Sequence, residues 1–158
     1  MTGWRLGYCG GPKEIIAGMN KIQSQSNTST SSISMAAAVE ALNGDQDFIM
    51  KHNNEFIQRR DFVVKNLNAI DGISCQIPEG AFYVYPSCAG IIGKKTKKGD
   101  TIKNDEDFMN FLLESEGVAG VHGAAFGLSP YFRLSYATDK NTLIDACERI
   151  TRACKNLS

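Results

Sequence analysis

The 158-residue chain balances 17 Lys plus Arg against 17 Asp plus Glu, with 42% hydrophobic and 22% charged residues. That is the composition of an ordinary globular domain, and its zero formal net charge gives no ground for nucleic acid or an anionic membrane as a partner. No apolar run approaches the ~20 residues of a membrane span; the five cysteines, odd in number and without a C-x-x-C, argue against a disulfide framework and a zinc site and for a reducing, cytoplasmic location.

The opening MTGWRLGYCGG lacks the apolar core of a signal peptide. Residues 5–10 read as a short strand ending at Gly10-Gly11. Pro12 then suits the first position of a helix striped by Ile15, Ile16, Met19 and Ile22. The polar run from Gln23 to Ser32 reads as a loop. Ser31 or Ser32 caps an alanine-rich helix that Gly44 stops. A long helix follows over 45–70, with Ile49, Phe56, Val63, Leu67 and Ile70 at helical spacing. Segments 73–77 and 81–85 read as strands, and the basic, glycine-rich stretch 88–100 as a mobile surface loop. Asn104 caps a helix with Asp105, Glu106 and Asp107 in its first turn, where the helix dipole favours negative charge. Phe108, Phe111 and Leu112 form its buried face and Gly117 ends it. Strands follow at 118–121 and 131–137, then a helix with Leu143, Cys147, Ile150, Cys154 and Leu157 on one face. The order from Ile73 onward implies a compact α+β unit, a small sheet with helices packed on it.

Several motifs lead nowhere. Gly90 to Thr96 has the wrong glycine spacing for a phosphate loop, no G-x-S-x-G supports a serine hydrolase, and His52 and His122 have no second metal ligand nearby in sequence. Two arginines stand out. Arg5 lies between Gly3 and Gly7, which leave room for a bulky anion near the backbone. Arg133 lies inside an apolar strand, where alternation places Tyr131, Arg133 and Ser135 on one face and Phe132, Leu134 and Tyr136 on the other. A guanidinium there is either a solvated edge or a bidentate clamp for phosphate or carboxylate.

Four motifs carry a resemblance. They are Met1-Thr-Gly-Trp-Arg-Leu-Gly-Tyr8, Glu79-Gly-Ala-Phe-Tyr83, Val118-Ala-Gly-Val-His-Gly-Ala-Ala-Phe-Gly127 and Tyr131-Phe-Arg-Leu-Ser-Tyr-Ala137. In this order, over nearly the whole chain, they resemble the C-terminal part of the fold type I pyridoxal-phosphate-dependent aminotransferases (class I/II, bacterial-type aspartate aminotransferase subgroup). The resemblance implies an α/β protein. Its α+β C-terminal small domain, a mostly antiparallel sheet packed by helices, would occupy 73–158. Residues 31–72 would be linking helices. Residues 1–30 would be a helical remnant of the large cofactor-binding domain, expected to be disordered, repacked or swapped between chains.

The same resemblance implies roles. Arg5 would bind the phosphate of pyridoxal 5'-phosphate, and Arg133 the α-carboxylate of the substrate. The cofactor lysine is expected upstream of Met1, so no catalytic residue and no metal ligand is expected in this chain. The fragment alone should hold no cofactor and catalyse nothing. The parent enzyme would be a homodimer that moves an amino group between aspartate and a 2-oxo acid such as 2-oxoglutarate. Two departures stand out: His122 occupies the family's usual proline position, and Ala124 a frequent serine or threonine position. The alternatives are a free-standing, non-enzymatic domain that binds an anion or a partner through its two arginines, and another fold type I enzyme, a C–S lyase or a cyclopropane-forming synthase.

Overall fold

The computed structural model describes residues 1–158, Thr2 by its backbone alone. The chain divides into two compact units, Met1–Ile49 and Met50–Ser158. The division falls inside a long helix.

The first unit is helical. A 3₁₀ turn at Thr2–Trp4 leads through an irregular segment into α1 (Lys13–Ser26) and α2 (Ser32–Asn43). The strand expected over 5–10 does not form. Arg5 takes a left-handed backbone (φ 53°), which breaks an extended run at its first residue. Helix α1 runs one turn past Ile22, and there Ser24 and Ser26 turn their hydroxyls back onto the carbonyls of Lys21 and Ile22. The expected loop thus begins at Asn27, and Thr28 turns the chain with φ 66°. Among the described residues of this unit only Ser34 and Ala38 are buried. The apolar stripe of α1 is present, yet Ile15, Met19 and Ile22 all face solvent.

The second unit holds the core. Helix α3 (Asp47–Asn68) enters it and buries Val63, Val64 and Leu67. Strand β1 (Tyr83–Val84), α4 (Asp105–Glu116), β2 (Val121–His122), β3 (Phe132–Ser135) and α5 (Lys140–Lys155) follow. The sheet is antiparallel with order β1-β3-β2: Tyr83 pairs with Ser135, Val84 with Leu134, Val121 with Arg133 and His122 with Phe132. The small antiparallel sheet and its packed helices are the expected α+β architecture.

Asn104 caps α4 by accepting the Asp107 N–H at 2.8 Å, and Gly117 ends it at φ 67°. Asp139 caps α5 in the same way, accepting from Asn141 and Thr142. The C-terminal end of α4 is tied to α5: Arg149 Nη1 donates to the Glu116 carbonyl at 2.9 Å, and Arg152 pairs with the Glu116 carboxylate at 2.6 Å. Phe108, Leu112, Phe132, Val84 and Ile150 are fully buried at the centre, with Phe108 and Phe132 edge to face.

Three expectations need revision here, and the first is the strand expected at 118–121, which forms only as β2 over Val121–His122. The strand expected at 73–77 shrinks to one bridge, Ser74 to Ser87, because the Asn68 side chain takes both the N–H and the carbonyl of Cys75. The basic stretch 88–100 is not all surface: Cys88 and Ile91 are fully buried, and Gly90 lies so close to Gly72 that a Cβ on it would meet the Gly72 Cα at 2.5 Å. Its lysine-rich part, turned by the Lys95–Thr101 bridge, is largely exposed.

Among the described residues no helix is long and apolar enough to cross a membrane, and no cluster of His, Cys, Asp or Glu can hold a metal. The five cysteines are unpaired thiols. Burial pushes those of Cys75, Cys147 and Cys154 up to about 11 and that of Cys88 to about 12, so all four are inert packing groups.

Candidate functional site

Strand β3 alternates as its sequence requires. Phe132 and Tyr136 enter the core, while Tyr131 and Arg133 are half-buried on the other face. Arg133 is therefore not a solvated edge. Its guanidinium carbon lies 4.5 Å from the centroid of the Tyr83 ring and 4.5 Å from that of Phe126. At these distances ring quadrupoles attract the cation, while the in-plane N–H groups remain suited to a planar carboxylate.

Each ring arrives from a different element. Tyr83 starts β1, whose pairing sets Ser135 opposite it and Arg133 diagonally next to it. Ala81, two residues earlier, is left-handed at φ 62°, and the Tyr136 hydroxyl donates to its carbonyl at 2.9 Å. Phe126 ends a 3₁₀ turn, Gly123–Phe126, that leaves β2. A Cβ on Gly123 would meet the Leu128 carbonyl oxygen at 2.1 Å, so only glycine lets the loop fold back this tightly. Behind Arg133, Tyr85 stacks on Tyr131 at 5.6 Å and 12° and donates to the Gly123 carbonyl at 3.2 Å. Its phenol is pushed up by burial first and by the Asp105 charge second, against the pull of Arg133.

Asp105 does more than its position in the sequence implies. The sequence places it beside Glu106 and Asp107 in the first turn of α4, where negative charge suits the helix dipole. It is 1% exposed, and its carboxylate reaches across to the 123–130 loop. There it accepts the Ala124 N–H at 2.8 Å and the Ser129 hydroxyl at 2.5 Å. Burial pushes its pKa up, but these two bonds, with help from its own and the Gly123 backbone, outweigh that and hold it below the usual aspartate value. No pattern in the sequence separates Asp105 from Glu106 and Asp107. Tyr83 and Phe126 belong to the second and third of the four sequence motifs, but their contact with Arg133 depends on sheet register and loop path.

His122 pairs with Phe132 at the end of β2, and its Nδ1 is buried without a hydrogen-bond partner among the described residues. Ala124 contributes its backbone N–H, so the absent serine or threonine hydroxyl is not needed for the bond to Asp105. Arg5 lies in the first unit, exposed, with open space around Gly3 and Gly7. A cavity of about 490 Å³ lies elsewhere, lined by Lys97, Lys103, Asp107 and Glu114 among others. Its mixed charges and the absence of both arginines separate it from this site.

Known proteins match the chain over these same features. It is 58% identical over 154 residues to a probable aspartate/prephenate aminotransferase of Rhizobium leguminosarum bv. phaseoli, covering 98% of the chain and 38% of the relative. It superposes on the crystal structure of the aspartate aminotransferase from Rhizobium meliloti with a TM-score of 0.90 at 56% identity, over 100% of the chain and 40% of that structure. On the Thermus thermophilus aspartate aminotransferase with maleate the TM-score is 0.80 at 36% identity, over 97% and 38% respectively. The chain thus spans well under half the length of these proteins. Residues 1–150, which take in both arginines and the loop between β2 and β3, match the family model described as aminotransferase class I and II, and the chain belongs to that family.

Proposed function

We propose that this chain is the anion-binding part of a pyridoxal-phosphate-dependent aminotransferase that uses aspartate as amino donor and 2-oxoglutarate as acceptor. The observation that carries the reading is the Arg133 guanidinium held at 4.5 Å by both Tyr83 and Phe126. Such a cation is oriented, half-buried and suited to a planar carboxylate. In this reading Arg133 takes the α-carboxylate of the amino acid and so fixes where its Cα lies. The Thermus relative with maleate favours a dicarboxylate substrate class.

Arg5 would hold the cofactor phosphate. The residues present fit that role: an exposed guanidinium, glycines on both sides, and a left-handed backbone of the kind that collects at binding sites. Pyridoxal phosphate, when bound, supplies the electron sink for charge developing at the substrate Cα. The lysine and the groups around the pyridine ring belong, in this reading, to the share of the relatives' length that the chain does not span. Residues 1–30 would be part of the large cofactor domain, 31–72 linking helices and 73–158 the small domain. The parent enzyme would be a cytoplasmic homodimer.

The test is an assay of L-aspartate with 2-oxoglutarate. The parent enzyme should turn over, and the 158-residue chain alone should not. Turnover by the chain alone would overturn the division of labour. Elimination or ring closure in place of amino transfer by the parent enzyme would point to a lyase or synthase. The name of the R. leguminosarum relative favours prephenate as a second acceptor, to be assayed beside 2-oxoglutarate.

A further inference from the structure

We infer that Asp105 is a positioning residue for substrate binding: by pinning the 123–130 loop it holds the Phe126 ring on the Arg133 guanidinium. The inference rests on the reading of Arg133 as the carboxylate clamp and adds what orients that clamp.

The loop is unusual in how it is held. Its ends are held by the Tyr85 hydroxyl on the Gly123 carbonyl and by the Cys88 N–H on the Pro130 carbonyl; between them the Ala124 N–H and the Ser129 hydroxyl both end on one buried carboxylate that belongs to a different element, α4. Phe126 lies between those two points. The loop's own bonds, Gly127 N–H to Ala124 and Leu128 N–H to Gly123, tighten it but do not tie it to α4. A carboxylate buried to 1% is costly unless its lone pairs are used, and Asp105 spends its own on this loop. The ring so held is 49% exposed, so Phe126 contributes little to the core. What it touches is Arg133 at 4.5 Å and the edge of Tyr85 at 6.3 Å. An arginine left with one ring would sample more rotamers and lose more freedom on binding a carboxylate.

The experiment uses the parent enzyme, with maleate as an unreactive dicarboxylate probe and L-aspartate as substrate. Phe126→Leu should weaken maleate binding and raise the KM for aspartate by about 3- to 10-fold, the range a ring–cation contact implies. Its kcat should change far less, and its unfolding midpoint should stay put. Phe126→Tyr keeps the ring and should restore both constants. Asp105→Asn, which leaves one acceptor oxygen for two donors, should shift the same constants in the same direction, and Ser129→Ala by less. If Asp105→Asn does not fold, the Phe126 pair still decides for the ring and Ser129→Ala for the anchor. Wild-type maleate binding in Phe126→Leu, while Arg133→Ala binds weakly, would overturn the positioning role and leave the clamp standing. Unchanged binding in Arg133→Ala would remove the clamp itself, and this inference with it.

Discussion

At Arg133 each ring contact supplies about 0.5–1 kcal/mol if the site is wet and more if it is dry, enough to bias a side chain whose rotamer freedom is worth ~2 kcal/mol. The sequence made this residue conspicuous, as a lone charge in an apolar strand, but could not choose between a wet edge and a clamp. The choice depends on Tyr83 and Phe126, which lie 50 and 7 residues away and meet Arg133 only through sheet register and loop path. Gly123 is the other residue whose role is steric. Gly123→Ala forces a methyl against the Leu128 and Tyr131 carbonyls at 2.1 and 2.8 Å. It should cost about 1–3 kcal/mol of stability, read as a lower urea midpoint with unchanged slope, and should also weaken substrate binding by moving Phe126. A neutral Gly123→Ala would show that the loop has room it is not seen to have.

At the scale of elements, caps and charges give predictions with a sign. Asn104→Ala removes the N-cap bond of α4 and should destabilise by ~1 kcal/mol, measured by urea unfolding. Asp105 adds a pH dependence. Its folded pKa is held below its unfolded value, so its contribution is fully present above the unfolded value of ~3.9 and is lost as pH falls through the folded one. The stability gap between wild type and Asp105→Asn should therefore be constant from pH 7 to about pH 5 and close on further acidification. A gap that widens in acid would mean that Asp105 folds in its protonated form. Helices with a clean 3.6-residue stripe were legible: α4 starts and ends at the expected Asn104 and Gly117, and α5 buries the expected Leu143, Cys147, Ile150 and Cys154. The strands expected at 81–85 and 131–137 were legible in place but not in length, forming as β1 and β3, and two others were not. Segment 73–77 has a strand's composition, but the Asn68 side chain satisfies Cys75 in place of a neighbouring strand. The segment after Arg5 fails because one left-handed residue breaks it. The first outcome is set by a group outside the window in which periodicity is read, the second by a backbone angle that periodicity does not encode.

At the scale of the molecule, the two units differ in how much they bury. Helix α1 has no buried residue, whereas α5 buries five. Local opening follows burial, so in the 158-residue chain the amides of α1 should exchange with deuterium in seconds to minutes. Those of α4 and α5 should be protected together, near the global stability. Equal protection of α1 and α5 would contradict this. The family was legible because four motifs keep their order over nearly the whole chain. The orientation of the clamp was not, since it rests on contacts between elements. The claim that joins these scales is that Arg133 binds the substrate α-carboxylate, and the kcat/KM for L-aspartate of the parent enzyme with and without Arg133→Lys tests it most directly. Loss of the oriented, bidentate fork should cost ~2 kcal/mol or more, a fall of at least about 30-fold carried mainly by KM. A kcat/KM within about 3-fold of wild type, with the protein folded, would contradict the account.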